Sequence, residues 1–158
     1  MTQEDKELLL KDLCARLPYG LKGTVEIEVS TGEYSIESGH LLFIEKEIDV
    51  ELFGINKETE EIEVCPLNDN IDISEYDYTI DDFILYLRTM SSMTEEEMAE
   101  FKWLNSKCDN MPTFDYIPIE HYRLFDWLNR HHFDYRGFIE KGLAIEAQEG
   151  MYGREEQK

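Results

Sequence analysis

Along residues 24–30, "TVEIEVS", Val25, Ile27 and Val29 alternate with Glu26 and Glu28. A period of two sends one set of side chains toward a core and the other toward water, which predicts a half-buried strand. The same alternation recurs in "DVELFGI", through Val50 and Leu52, and in "EIEVCPL" up to Pro66. "EYSIE" and "HLLFIEKEI" read as further strands, set off by the turn dipeptides "TG" at 31–32 and "SG" at 38–39, and "NKETE" reads as a polar loop. Four or five short strands joined by tight turns predict an antiparallel meander, either an open curled sheet or a small SH3-like barrel.

Helical spacing brackets this β-rich part. Leu8, Leu9, Leu13 and Cys14 predict a helix over 3–16, ended by "LPYG" with Pro18 and Gly20. Thr79 with Asp82 three residues on resembles a capping box after the acidic connection that starts at residue 71. It opens a predicted helix through Met90, with Ile80, Phe83, Ile84 and Leu87 on one side. Thr94 with Glu97 forms a second capping box, Glu95 to Glu97 suit the positive helix end, and Met98, Phe101, Leu104 and Cys108 line the helix that follows. After a loop with Pro112, Pro118 begins a helix to about Arg130, whose apolar stripe is Ile119, Tyr122, Phe125 and Leu128, with Trp127 off it. A last short helix covers Tyr135 to Lys141 with Gly142 as its stop, and "LAIEA" is a final extended piece. The expectation is a single α+β domain over 1–150. Its β-rich part lies at about 22–67, its helical part at about 78–145 with three or four C-terminal helices, and 151–158 form a frayed tail.

Composition narrows the function classes. A hydrophobic fraction of 42% in 158 residues supports a folded core. The formal net charge of −21 repels phosphates and anionic lipid, so direct nucleic-acid or membrane binding is not expected. The charge is uneven: fourteen acids stand against Lys46 and Lys57 from Glu45 to Asp82, whereas four acids and four bases share Ile117 to Lys141. No apolar run approaches the roughly 18–20 residues of a membrane span. The first residues lack the apolar region of a signal peptide. Cys14, Cys65 and Cys108 are odd in number and far apart, as reduced thiols are. A cytoplasmic location is expected.

Three stretches, "KDLCARLPYGLK", "YLRTMSSMTEEE" and "WLNRHHFDYRGFIEKGLAIEA", together span most of the chain. They resemble an uncharacterised protein family of Bacteroides-type gut bacteria, their prophages and related mobile elements. That family's middle motif more often has proline where Thr89 stands here. The resemblance implies a bacterial or phage origin and a place in mobile-element biology, and it carries no established activity.

The candidate chemistry gathers in residues 121–142, "HYRLFDWLNRHHFDYRGFIEKG". His121, His131 and His132, with Asp126 or Asp134, have the donor types of a metal site, but their spacing matches no compact helical motif. At a helix end, protonated histidines also suit the C-terminal dipole. Each cysteine reads as an inert core thiol. Ser91 and Ser92 lack a nucleophile elbow and read as a hinge. Asp81 and Asp82, or Glu95 to Glu97, read as solvated acids or helix starts, and no phosphate-cradling glycine loop is present. The aromatic and basic residues Trp127, Arg123, Arg130, Phe133, Tyr135 and Arg136 have the composition of a protein-binding hot spot, set against packing into the core. The expectation is a non-enzymatic interaction or regulatory module without cofactor, its partner another protein. A sharper form is an interference protein whose acidic region imitates DNA. The alternative is a small hydrolase-like enzyme built on the histidine cluster.

Overall fold

The computed structural model describes residues 1–36, 38–67, 73, 76–109 and 119–152. Helix α1 (Gln3–Arg16) starts at Thr2, whose hydroxyl accepts the Asp5 backbone N–H at 3.1 Å, and Glu4 and Asp5 sit in its positive first turn. Its apolar face buries Leu9 and Leu13. A 3₁₀ turn follows over Leu17–Tyr19. Gly20 then reverses the chain at φ 69°, a left-handed conformation that glycine adopts without steric cost.

The strands are β1 (Leu21–Tyr34), β2 (Leu41–Ile55), β3 (Glu61–Pro66), β4 (Tyr78–Thr79), β5 (Phe83–Leu87) and β6 (Ala144–Glu146). They form one sheet in the order β4-β3-β2-β1-β5-β6. All neighbours are antiparallel except β5 and β6, which run parallel, so the sheet is mixed. It is not closed into a barrel: β4 and β6 are its two ends. The meander has fewer and longer strands than its turn dipeptides suggest. "TG" at 31–32 does not reverse the chain. Gly32, at φ 75°, sits inside β1, where the register with β2 shifts between Ser30 and Tyr34. A bulge of this kind absorbs a glycine without ending the pairing. Beyond it, "HLLFIEKEI" and "DVELFGI" run on as the single strand β2.

The helix expected from Thr79 to Met90 is replaced by a strand. Thr79 and Asp82 do form a capping box, with the Thr79 N–H donating to Asp82 at 2.8 Å, but only the 3₁₀ turn Ile80–Asp82 follows before β5 begins. Positions 80, 83, 84 and 87 fit a helical stripe, yet Phe83, Leu85 and Leu87 also alternate, and all three are buried. Tertiary pairing decides between the two periods. Gly23 of β1 has no Cβ to meet the Phe83 ring and the Ile84 carbonyl, so β5 pairs closely with Gly23–Val25.

Two α-helices follow among the described residues, α2 (Glu95–Asp109) and α3 (Ile119–Arg130), where three or four were expected. The Pro112 loop, the Pro118 helix start and parts of the 71–82 connection lie outside the described residues. Thr94 caps α2 as the sequence predicts, accepting the Glu97 N–H at 3.2 Å while Glu97 accepts the Thr94 N–H at 2.8 Å. Tyr135 to Lys141 is a run of turns rather than a helix. The Asp134 carboxylate takes the N–H groups of Phe138 and Ile139 at 2.9 Å each, and Gly142 closes the run at φ 70°. Met151 and Tyr152, placed in the frayed tail by the sequence, are docked: the Tyr152 hydroxyl contacts Lys22 and donates to the Tyr86 carbonyl at 2.9 Å.

Apolar burial divides into two clusters. The larger lies between α1 and the inner face of the sheet, and joins Leu9 and Leu13 to Val25, Ile48, Val50, Leu85 and Phe138. The smaller joins Leu104 of α2 to Leu124, Trp127 and Leu128 of α3 and to Phe133. Arg88 links them: its N–H donates to the His132 carbonyl, and its own carbonyl accepts the Asp134 N–H, both at 2.8 Å.

Candidate interaction surface

The alternation that buries Val25, Ile27, Ile48 and Val50 dictates what lies on the other face. Glu26 is registered opposite Glu47, and Glu28 opposite Glu45. Cross-strand neighbours on one face stand about 5 Å apart at Cβ, where like charges repel. Asp49 and Glu51 continue the row along β2, and Glu61 and Glu63 lie on the same face of β3. This outer face of β1–β3 therefore carries eight carboxylates. Its one cation, Lys22, is occupied, donating to the Met151 carbonyl at 2.6 Å. α1 packs on the inner side of the sheet. The opposed glutamates do nothing for folding, since each such pair costs a few tenths of a kcal/mol or more. A shallow recess of about 230 Å³ opens on this face, where the Tyr86 hydroxyl donates to Asp49 at 2.8 Å. Burial first, and then the Asp49 carboxylate, push that hydroxyl up to about 12.

The hairpin end of the sheet projects past the core. β5 pairs with β1 only at Gly23–Val25, and β3 pairs with β2 only from Val50 onward. Between these points and the turn, β1 and β2 have only each other among the described strands. Phe43, 55% exposed, ends the outer acidic row, and Tyr34, Leu42 and Ile44 are exposed beside it. Phe53, 59% exposed, stands at the bulge toward the other end of β2. A two-stranded ribbon is marginal in water by itself, so apolar side chains left out on it mark a contact surface.

The aromatic-basic stretch is largely packing, which corrects the expectation of a hot spot there. Trp127 is 6% exposed and stacks on Phe133, which is fully buried. The stripe that α3 buries is Leu124, Trp127 and Leu128, while Tyr122 and Phe125 are 61% and 43% exposed. Two stripes at helical spacing share Leu128, and the aromatic count favours the wrong one. Arg130 pairs with Asp126 at 3.0 Å and lies over the Tyr19 ring, whose hydroxyl donates to the same Asp126. Arg136 pairs with Asp12 at 2.8 Å, and the Tyr135 hydroxyl donates to Asn129 at 2.9 Å. Arg123 is exposed.

The histidines do not converge. His131 packs on Trp127 with its Nδ1 at 2.9 Å from the Trp127 carbonyl, and His121 is half-buried about three turns earlier. His132 is buried at φ 56°, stacked on Tyr152 with ring centroids 3.8 Å apart. Its Nε2 lies 3.0 Å from the Tyr19 carbonyl, which makes Nε2 the protonated nitrogen of a neutral ring. Burial, then the charges of Arg16, His131 and Lys22, hold its pKa down at about 3, against the Tyr19 hydrogen bond. The expected protonated histidine at a helix end is therefore wrong for His132. Among the described residues no three His, Cys, Asp or Glu side chains are grouped to hold a metal ion.

A pH dependence follows. An unfolded His132 titrates near 6.5 and the folded one near 3, so its stabilising contribution is complete above 6.5 and is lost as pH falls toward 3. At 1.36 kcal/mol per unit this is on the order of 5 kcal/mol. Urea melts from pH 7 to pH 3 will show this slope in the parent and a flatter one in His132→Asn, asparagine being a residue that tolerates the left-handed backbone. An unchanged slope in the variant places the acid sensitivity elsewhere.

The remaining candidates are accounted for locally. Asp81 and Glu60 hold Lys6 at 2.6 and 2.5 Å, and Asp82 caps its turn. Glu97 takes both Arg88 nitrogens, and that hydrogen-bonded pairing holds its carboxyl at about 2. Ser91 and Ser92 bond back to Thr89 at the hinge before α2. Cys65 is exposed on β3, while Cys14 and Cys108 are half-buried. Among the described residues no helix is long and apolar enough to cross a membrane. Two features were missed from sequence: the β1 glutamates as part of the acidic surface, and the fully buried Asp12–Arg16 pair of α1. The "EIE" alternation and the i,i+4 spacing were the signals for them. Comparison of the chain with family models, with curated proteins and with solved structures finds no match.

Proposed function

We propose that this is a non-enzymatic interaction protein of bacterial or phage origin, which binds a basic surface of another protein through the outer face of its sheet. The observation that carries the reading is a sheet face with eight carboxylates, seven of them exposed, against a single lysine, which Met151 and Tyr152 occupy at one end. One exposed ion pair contributes at most about 1 kcal/mol, so such a face works through number: it steers a cationic partner and adds many small attractions. Phe43 and Phe53 flank the carboxylates and supply apolar contact area of the kind that protein partners anchor on.

A DNA-binding protein is the sharper form of that partner. Along β2 the carboxylates recur every second residue, about 6.7 Å apart, and β1 adds a second rank. A strand of DNA carries one charge per roughly 3.4 Å of axis, so where Glu26 and Glu28 stand opposite Glu47 and Glu45 the two ranks together approach the linear charge density of one strand. The exposed phenylalanines have no counterpart in a phosphate backbone, and favour a partner that also offers apolar surface.

Capture from a bacterial lysate tests the reading. The parent is compared with Glu26→Gln/Glu28→Gln/Glu45→Gln/Glu47→Gln and with a control of equal charge loss, Glu7→Gln/Glu100→Gln/Glu140→Gln/Glu149→Gln. A basic partner should be retained by the parent and the control, lost by the face variant, and released as salt rises from about 50 to about 200 mM. Equal capture by all three proteins, or capture indifferent to salt, sinks the proposal.

A further inference from the structure

We propose that the edge of β2 along Leu41–Glu47, unpaired on the side away from β1 among the described residues, takes an extended segment of the basic partner as an added strand, with basic and apolar side chains alternating along it. This rests on the reading above and names the form of the partner.

On the side away from β1, the described hydrogen bonds of β2 end where the Leu67 N–H donates to the Asp49 carbonyl at 3.0 Å. Toward the turn, β2 pairs only with β1 among the described residues. The other edge of the projecting hairpin is engaged, because the Tyr76 hydroxyl donates to the Glu28 carbonyl at 2.7 Å. An unpaired strand edge is a row of main-chain donors and acceptors, and an extended peptide satisfies it by becoming the next strand.

The two faces at this edge differ, which is what gives the incoming strand a pattern. Glu45 and Glu47 lie on the outer face, and Leu42 and Ile44 on the inner one. Successive side chains of an added strand fall alternately on these faces. Lysine or arginine opposite Glu45 and Glu47 then relieves the repulsion from Glu28 and Glu26, and the intervening apolar residues cover Ile44 and Leu42, both exposed. Lys46 ends the apolar stretch on the inner face toward the domain. A second copy of this chain fits poorly, since edge-to-edge pairing would set glutamate rows side by side. The same acids that block self-pairing select an opposite charge.

The full-length protein is titrated with three synthetic peptides: one alternating lysine and valine, one of the same composition with all lysines before all valines, and the alternating peptide N-methylated at every second amide. The alternating peptide should bind at least about tenfold more tightly than either control. It should slow amide hydrogen exchange within residues 41–47, and lose about tenfold in affinity to Glu45→Gln/Glu47→Gln. Equal binding of all three without new protection leaves charge attraction alone, and overturns strand addition while the acidic-face reading stands. No binding of any peptide counts against both. Slow exchange at the amides of Phe43, Glu45 and Glu47, which point away from β1, in the free monomer shows that the chain closes its own edge. A concentration-dependent doubling of mass assigns the edge to a second copy.

Discussion

Trp127→Ala is expected to lower the stability of the fold by about 3–5 kcal/mol, and Phe125→Ala by only about 1 kcal/mol. Both are large aromatics two residues apart on α3, and composition does not separate them. The fold does: Trp127 is 6% exposed between Phe101, His131 and Phe133, while Phe125 is 43% exposed and meets only the Tyr135 ring, at 5.5 Å, among the described aromatic contacts. Removing the indole leaves a cavity in the smaller core, among Leu104, Leu124, Leu128 and Phe133. Removing the Phe125 ring mostly returns exposed area to water. Paired denaturant melts decide this, with near-equal slopes as the condition for reading midpoints as stabilities. A loss at Phe125 as large as that at Trp127 would show that α3 buries the other stripe.

This contrast locates the limit of the sequence reading. Where one period is unambiguous, as in Val25–Ile27–Val29 or Leu9–Leu13, the element and its buried face were legible, because alternation or i,i+4 spacing admits one orientation. Where two periods compete, local pattern does not decide. Residues 80–87 fit a helical stripe, and the edge of β1 at Gly23 claims them as a strand. On α3 two stripes share Leu128, and the one with fewer aromatics is buried because α2 and Phe133 lie on that side. The acidic surface was half legible. Charge density along residues 45–82 marked β2 and β3, but Glu26 and Glu28 join it only through the register of β1 on β2, which no local count contains. Some of those acids belong elsewhere, since Glu60 and Asp81 hold Lys6 and Asp82 caps a turn.

Asp12→Ala is expected to cost about 3–5 kcal/mol, the usual penalty for stripping one partner from a buried ion pair. Both Asp12 and Arg16 have no exposed side-chain surface, and Arg16 Nε donates to the carboxylate at 2.6 Å. Arg136 donates to its other oxygen at 2.8 Å. Without the carboxylate two guanidiniums remain near one another, one of them with no access to water. Arg16 Nη2 also donates to the Phe133 carbonyl at 2.9 Å, so its displacement reaches from α1 into the smaller core. The cost is one of uncompensated charge more than of lost contact, and the two causes are separable. Asp12→Leu/Arg16→Met removes both charges and fills similar volume, and apolar replacement of a buried pair is often neutral or better. Urea melts of the single and double variants make the test. Recovery of most of the loss in the double variant identifies desolvated charge as the cause. A double variant no more stable than Asp12→Ala would mean that the contacts of Arg16 with Phe133 and of Asp12 with Arg136, rather than neutralisation, hold α1 to the C-terminal turns.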